Sequence, residues 1–184
     1  MRESVGWPDL RWGWVVKVNY DSKFRPGTVW LVGGGPGDPD LLTLKAERLL
    51  RRADIVFYDA LVGPGVLELI GPEAECVSVG KRSGRHSRDQ RSIDALIVEA
   101  ARTGKRVVRL KGGDPSIFGR ANEELEACRA AGIPVSVCPG VTAASAGAAD
   151  LGLSLTLRGL ARRLTLVTAH TKSGAAPDVD WAAL

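Results

Sequence analysis

From Thr28 onward, short apolar runs alternate with longer segments in which apolar side chains recur every three or four positions. The runs TVWLVG (28–33), DIVFYD (54–59), AECVSVG (74–80), KRVVRLKGGD (105–114) and PVSVCPG (134–140) read as strands. Near-continuous apolar character suits strands covered on both faces. Between them, DLLTLKAERLLRRA (40–53) puts Leu42, Ala46, Leu49 and Ala53 at helical spacing, with Asp38 or Asp40 near the helix start. Ser87 and Gln90 form a capping-box pattern ahead of the stripe Ile93, Leu96, Ile97 and Ala100. ANEELEACRAA (121–131) is a helix closed by Gly132 and Pro134, and the small-residue stretch VTAASAGAADLG (141–152) reads as another.

Strands alternating with helices predict an α/β fold with a mostly parallel sheet and crossover helices. In such sheets ligands sit beyond the carboxyl ends of the strands. The turns there are Gly33–Asp38, Asp59–Val62, Gly80–Arg85, Gly112–Asp114 and Pro139–Thr142. Residues 1–27 look foreign to this pattern: Trp7, Trp12 and Trp14 lie among mixed charges with no period, as in an extension of unknown role. Residues 28–150 form one domain. From 151 to 184 the style resumes with RRLTLVTAH (162–170), read as a sixth strand, and DWAAL (180–184), read as the opening of a helix. One strand and one helix start cannot close a core. The expectation is an incomplete second α/β domain in a truncated chain.

Composition narrows the class. With 184 residues, 45% hydrophobic and 25% charged, the chain can bury one substantial core. No segment reaches the roughly 18 apolar residues of a membrane span. Asp9, Arg11, Trp12 and Lys17 interrupt any apolar leader core. A cytoplasmic protein without a membrane partner is expected. Cys76, Cys128 and Cys138 form no CxxC pair, and only His86 and His170 accompany them, so buried reduced thiols are expected and no metal site. A net charge of +4 is too modest to imply nucleic acid. Locally, GKRSGRHSRDQR (80–91) carries Lys81, Arg82, Arg85, Arg88 and Arg91 against Asp89 alone. That is either a solvated loop or an anion-attracting segment.

VGGGPGDPDLLTLKA (32–46) invites a nucleotide reading. A dinucleotide fingerprint needs G-x-G-x-x-G, but Asp38 stands at the third glycine and Pro36 intrudes. No Gly-Lys-Ser/Thr ends the turn, so the phosphate-loop pattern fails too. Asp38 and Asp40 suit a helix N-terminus instead. The loop is then a tight turn, or a stiff cleft loop beside an uncharged or cationic ligand.

Five segments occur together in order: GGGPGDPDLLTLKA, YDALV, VGKRSGRHS, RLKGGDPSIFGR and GIPVSVCPGVTAAS. Together they resemble the tetrapyrrole methylases over roughly Val29 to Leu184. Within that family the likeness is to the uroporphyrinogen-III C-methyltransferases, including the methylase half of sirohaem synthase. VGKRSGRHS and VVRLKGGDP are the most specific segments. The resemblance implies an enzyme that uses S-adenosylmethionine, without a metal, in a cleft between two α/β domains. It would methylate uroporphyrinogen III to precorrin-2 on the way to sirohaem or cobalamin, as a homodimer at full length. It implies donor contacts at Pro36, Gly112, Gly113, Asp114, Ile117, Thr142 and Ala143. It implies a proton acceptor at Asp59 and a proton donor at Lys81, which can equally be a carboxylate clamp. Arg82, Arg85 and His86 would read substrate carboxylates. Arg109 and Lys111 serve the same anion or form an internal ion pair, and His170 is structural or substrate-facing.

The sequence departs from the family at several points. Gly34 replaces the usual Ala or Ser, Ala60 a common Arg, and Ala121 and Asn122 a glycine pair. Leu157 and Gly159 replace a His and an Asp, while Arg158 remains. These changes bear on substrate choice more than on donor binding. Three alternatives stay open: a methylase of another precorrin, a ribose methylase acting on RNA, and an inactive single-lobe fragment that binds the donor weakly.

Overall fold

The computed structural model describes residues 23–80, 90–168 and 179. Five strands form one sheet: β1 (Val29–Gly33), β2 (Ile55–Tyr58), β3 (Glu75–Ser78), β4 (Val107–Lys111) and β5 (Val135–Cys138). Their order is β3-β2-β4-β1-β5, and every pairing is parallel. The helices are α1 (Leu44–Arg52), α2 (Pro64–Leu67), α3 (Gln90–Arg102), α4 (Ala121–Ala130) and α5 (Ala143–Asp150). The expected α/β class with crossover helices is what forms. The short α2 gave no signal in the sequence, because four residues cannot show a helical period.

The pleat divides the core into two layers. Trp30, Val32, Val56, Val108, Leu110 and Cys138 pack with Ala46, Leu49 and Leu50 of α1 and Val66 of α2. Val29, Ile55, Phe57 and Val107 pack with Ile93 and Ile97 of α3 and Cys128 of α4. Side chains at alternate strand positions point to opposite faces, so β1, β2, β4 and β5 feed both layers. β1 and β4 are buried at every position, which explains the unbroken apolar run of β1, while β4 buries Arg109 and Lys111 among its apolar residues. Each such large side chain contributes roughly 1.5–3 kcal/mol by leaving water.

Local chemistry sets the helix ends, and one expectation is corrected. Asp38 caps a short 3-10 turn, Pro39–Leu41, accepting from the Asp40 N–H at 2.9 Å. Thr43, not Asp38 or Asp40, caps α1, accepting from the Ala46 N–H at 3.1 Å. Pro39 explains the shift: it opens a tight turn that stops at Leu42, and the chain restarts as an α-helix only at the next hydroxyl.

Two further expectations change. Cys128 and Cys138 are buried, and burial pushes the Cys128 thiol up to about 11. Cys76, expected to be buried, is exposed, because it lies on β3 at the edge of the sheet. RRLTLVTAH was expected to be a sixth strand, but residues 162–168 carry no strand. Alternating apolar side chains make a strand only where a neighbour completes its ladder. Among the described residues the nearest such feature is an isolated bridge, Leu157 with Ala161. No helix among the described residues is long and apolar enough to cross a membrane.

Candidate active site at the carboxyl rim of the sheet

The strand order turns residues scattered in sequence into neighbours. β2, β4, β1 and β5 lie side by side, so their carboxyl ends form a row. Asp59 follows β2. Gly112, Gly113, Asp114 and Ile117 follow β4. Pro36 follows β1, and Thr142 and Ala143 follow β5. The expected donor contacts and Asp59 therefore share one rim. Pro36 and Ala143 are exposed there, while Asp59, Gly112, Gly113, Asp114, Ile117 and Thr142 are half-buried.

The glycines of the first loop pack backbone against backbone. A side chain on Gly33 would place its Cβ 2.5 Å from the Gly140 nitrogen and 2.7 Å from the Gly113 carbonyl oxygen. Gly35 and Gly113 exchange hydrogen bonds of 3.2 and 2.7 Å across the rim. The Gly34 N–H donates to the Lys111 carbonyl at 2.7 Å. A phosphate cradle needs free backbone N–H groups. Those of Gly34 and Gly35 are taken, so the loop is a packing device, as the failed fingerprint suggested.

Asp114 joins two loops. Its Oδ1 accepts from the Ser116 N–H at 2.7 Å and its Oδ2 from the Gly140 N–H at 3.0 Å. A carboxylate offers about four acceptor positions, so lone pairs remain for a ligand amine or hydroxyl. Thr142 caps α5, with its oxygen 3.5 Å from the Ala144 nitrogen.

Asp59 sits over a buried ionic cluster. Its Oδ1 accepts from the Leu61 N–H at 3.1 Å, and its Oδ2 lies 3.6 Å from Arg109 Nη2. Arg109 Nε donates to Glu124 at 2.8 Å, and Arg109 Nη1 donates to the Leu110 carbonyl at 2.8 Å. Lys111 Nζ donates to both Glu124 oxygens at 3.1 and 2.9 Å. The Arg109, Lys111 and Glu124 side chains are 5%, 6% and 0% exposed, against 22% for Asp59. Arg109 and Lys111 are therefore internal partners of Glu124, almost closed to solvent. Burial first, and then the Arg109 charge, push the Lys111 ammonium below its usual value against the pull of Glu124.

Glu124 is the residue that the sequence reading missed. The signal was present: Ala121, Glu124 and Cys128 share the buried face of α4, at i, i+3 and i+7. An acid on an apolar stripe requires a cation opposite, and Arg109 and Lys111 lie on the strand beneath.

Lys81, Arg82, Arg85, His86 and His170 lie outside the described residues. The chain leading to Lys81 is placed, however. A Cβ on Gly80 would lie 2.8 Å from the carbonyl carbon of Asp59, so the basic segment starts against the Asp59 backbone. Among the described residues no group of three His, Cys, Asp or Glu side chains is positioned to hold a metal ion.

Comparison with known proteins agrees with this fold. Residues 28–184 match the family model for tetrapyrrole (corrin/porphyrin) methylases. The chain is 51% identical over 167 residues to siroheme synthase of Pseudomonas fluorescens (strain SBW25), covering 91% of this chain and 36% of that protein. It is 52% identical over 149 residues to the chloroplastic S-adenosyl-L-methionine-dependent uroporphyrinogen III methyltransferase of Arabidopsis thaliana, covering 81% of this chain and 40% of that one. Among solved structures, the uroporphyrin-III C-methyltransferase of Thermus thermophilus, complexed with S-adenyl homocysteine, superposes with a TM-score of 0.69 at 48% identity. That match covers 82% of this chain and 63% of the other. The chain thus spans little more than a third of the curated relatives it matches. It belongs to the tetrapyrrole methylase family.

Proposed function

We propose that the protein transfers methyl groups from S-adenosylmethionine to pyrrole carbons of uroporphyrinogen III, giving precorrin-2. The observation that carries this reading is the row on the carboxyl rim, where Asp59 stands beside the loops bearing Gly112–Asp114, Pro36 and Thr142. The residues fit the donor. The half-buried glycines let a ligand approach the backbone, and Asp114 and Thr142 offer oxygens to its amine and hydroxyl groups. When bound, the donor supplies an electrophilic methyl group on a sulfonium sulfur.

Asp59 then acts as proton acceptor, taking the proton that the pyrrole ring gives up as the new carbon–carbon bond forms. A base held within reach contributes about 10²–10⁴-fold. Lys81 serves as proton donor or carboxylate clamp, and Arg82, Arg85 and His86 hold substrate carboxylates. Residues 28–150 form the first lobe of the cleft and 151–184 begin the second. The complete protein is read as a cytoplasmic homodimer.

The test is turnover of uroporphyrinogen III by the complete protein, followed by transfer of label from [methyl-³H]S-adenosylmethionine. Asp59→Ala is the control, expected to lose about 10²-fold or more in kcat. Label transfer to another precorrin with none to uroporphyrinogen III would overturn the substrate assignment. Full activity of Asp59→Ala would remove Asp59 from the chemistry.

A further inference from the structure

We propose that Glu124 is a positioning residue for the reaction, acting on Asp59 through Arg109. The inference rests on the reading of Asp59 as proton acceptor. It goes beyond that reading by assigning a role to a residue with no exposed surface.

Four groups form one chain of contacts: Lys111 and Arg109 on β4, Glu124 on α4, and Asp59 after β2. Among these described residues two are cations and two are anions, so the four balance one another. Glu124, with no exposed surface, is the anchor of the two cations. Asp59 is the member nearest solvent, at the rim where the loops converge. Arg109 is the link between them. Its Nε is committed to Glu124 and its Nη1 to the Leu110 carbonyl, with the Phe57 carbonyl at 3.4 Å. A planar guanidinium fixed at those atoms has no freedom in where its third nitrogen points. That nitrogen faces Asp59 Oδ2 from 3.6 Å, beyond a good hydrogen bond. Arg109 therefore steadies the carboxylate without capping it, and Oδ2 keeps its capacity to accept a proton.

The geometry depends on Glu124. Without its charge, Arg109 and Lys111 are two buried cations, and of the four described groups only Asp59 remains to balance them. Arg109 then closes on Asp59, turns the carboxylate inward and occupies the oxygen that should receive the proton.

The complete protein carrying Glu124→Gln keeps shape and volume while removing the charge. The expected result is a kcat lower by about 10- to 100-fold, with the KM for S-adenosylmethionine changed less than about twofold. In an Asp59→Asn background the same substitution changes kcat by less than about twofold, because its route of action is already lost. A loss of equal size in both backgrounds overturns the proposal, since a merely structural role would act in either.

Stability is controlled by a second variant. Glu124→Gln with Lys111→Met removes one charge of each sign and restores neutrality. It should recover the melting temperature but not kcat, and full recovery of kcat would overturn the proposal. A crystal structure of Glu124→Gln reads the same point without turnover. Arg109 within hydrogen-bond distance of Asp59 is expected, and an unmoved pair overturns the idea. An inactive wild type, together with a shifted Arg109 in the Glu124→Gln crystal, would count against the methylation reading and leave the coupling standing.

Discussion

The two ends of the sheet use the same residue types for opposite purposes. At the amino end, Arg106 and Asp54 make a bidentate pair at 3.0 and 2.6 Å, with side chains about a third exposed. At the carboxyl end of the same strand, Arg109 and Lys111 meet Glu124 almost without solvent. Individual glycines show the same contrast, although Gly113 at the carboxyl end also combines a φ of +65° with open space. Gly104 and Gly132, after α3 and α4, have φ of +80° and +71° and open space around them. Gly33 and Gly140, at the carboxyl end, have no space at all. One end uses glycine to turn the chain and ions to brace a surface. The other uses glycine to bring loops into backbone contact and ions to set charge beneath a site.

The contrast is open to measurement. The largest effect is expected from Glu124→Leu, which leaves two buried cations and should cost about 3–5 kcal/mol in chemical denaturation. Gly33→Ala comes next. Its Cβ meets backbone rather than a flexible side chain, so a loss of about 3 kcal/mol is expected. Gly104→Ala, with room but a left-handed φ, should cost only about 1–2 kcal/mol. An equal cost at Gly33 and Gly104 would erase the distinction between the two ends.

The smallest effect belongs to Asp54→Asn, below about 1 kcal/mol at neutral pH for so exposed a pair. Its signature lies in pH. Hydrogen bonding to Arg106 lowers the Asp54 carboxyl below its ordinary 3.8, against the opposing pull of burial. The stability it adds is therefore fully present above that value and lost as pH falls through the lower folded value. Acid titration of stability should show this loss in the wild type and a shallower one in Asp54→Asn.

The five strands and the helices other than α2 were legible because each is a local pattern: the apolar run of β1, the stripe of α1, and the Gly132 stop after α4. Their order was not, because β4 lies between β1 and β2 for reasons of pairing between distant segments. The site was legible as a set of turns, and the order of the strands is what made the set a row. Pro39 moved the start of α1 to Thr43, a competition between two caps that composition alone does not decide. Glu124 was overlooked because an acid inside a helix is ordinarily solvated. Only the cations on the strand beneath give it meaning.

Asp114 has one more consequence. By holding the Gly140 and Ser116 amides together, it makes the loops after β4 and β5 a single piece before any ligand arrives. The entropy of ordering two loops is then charged to folding, and association meets only the remainder. On the proposed assignment of Asp114 to the donor, substitutions there should therefore appear first as slower donor capture and a larger unfavourable binding entropy.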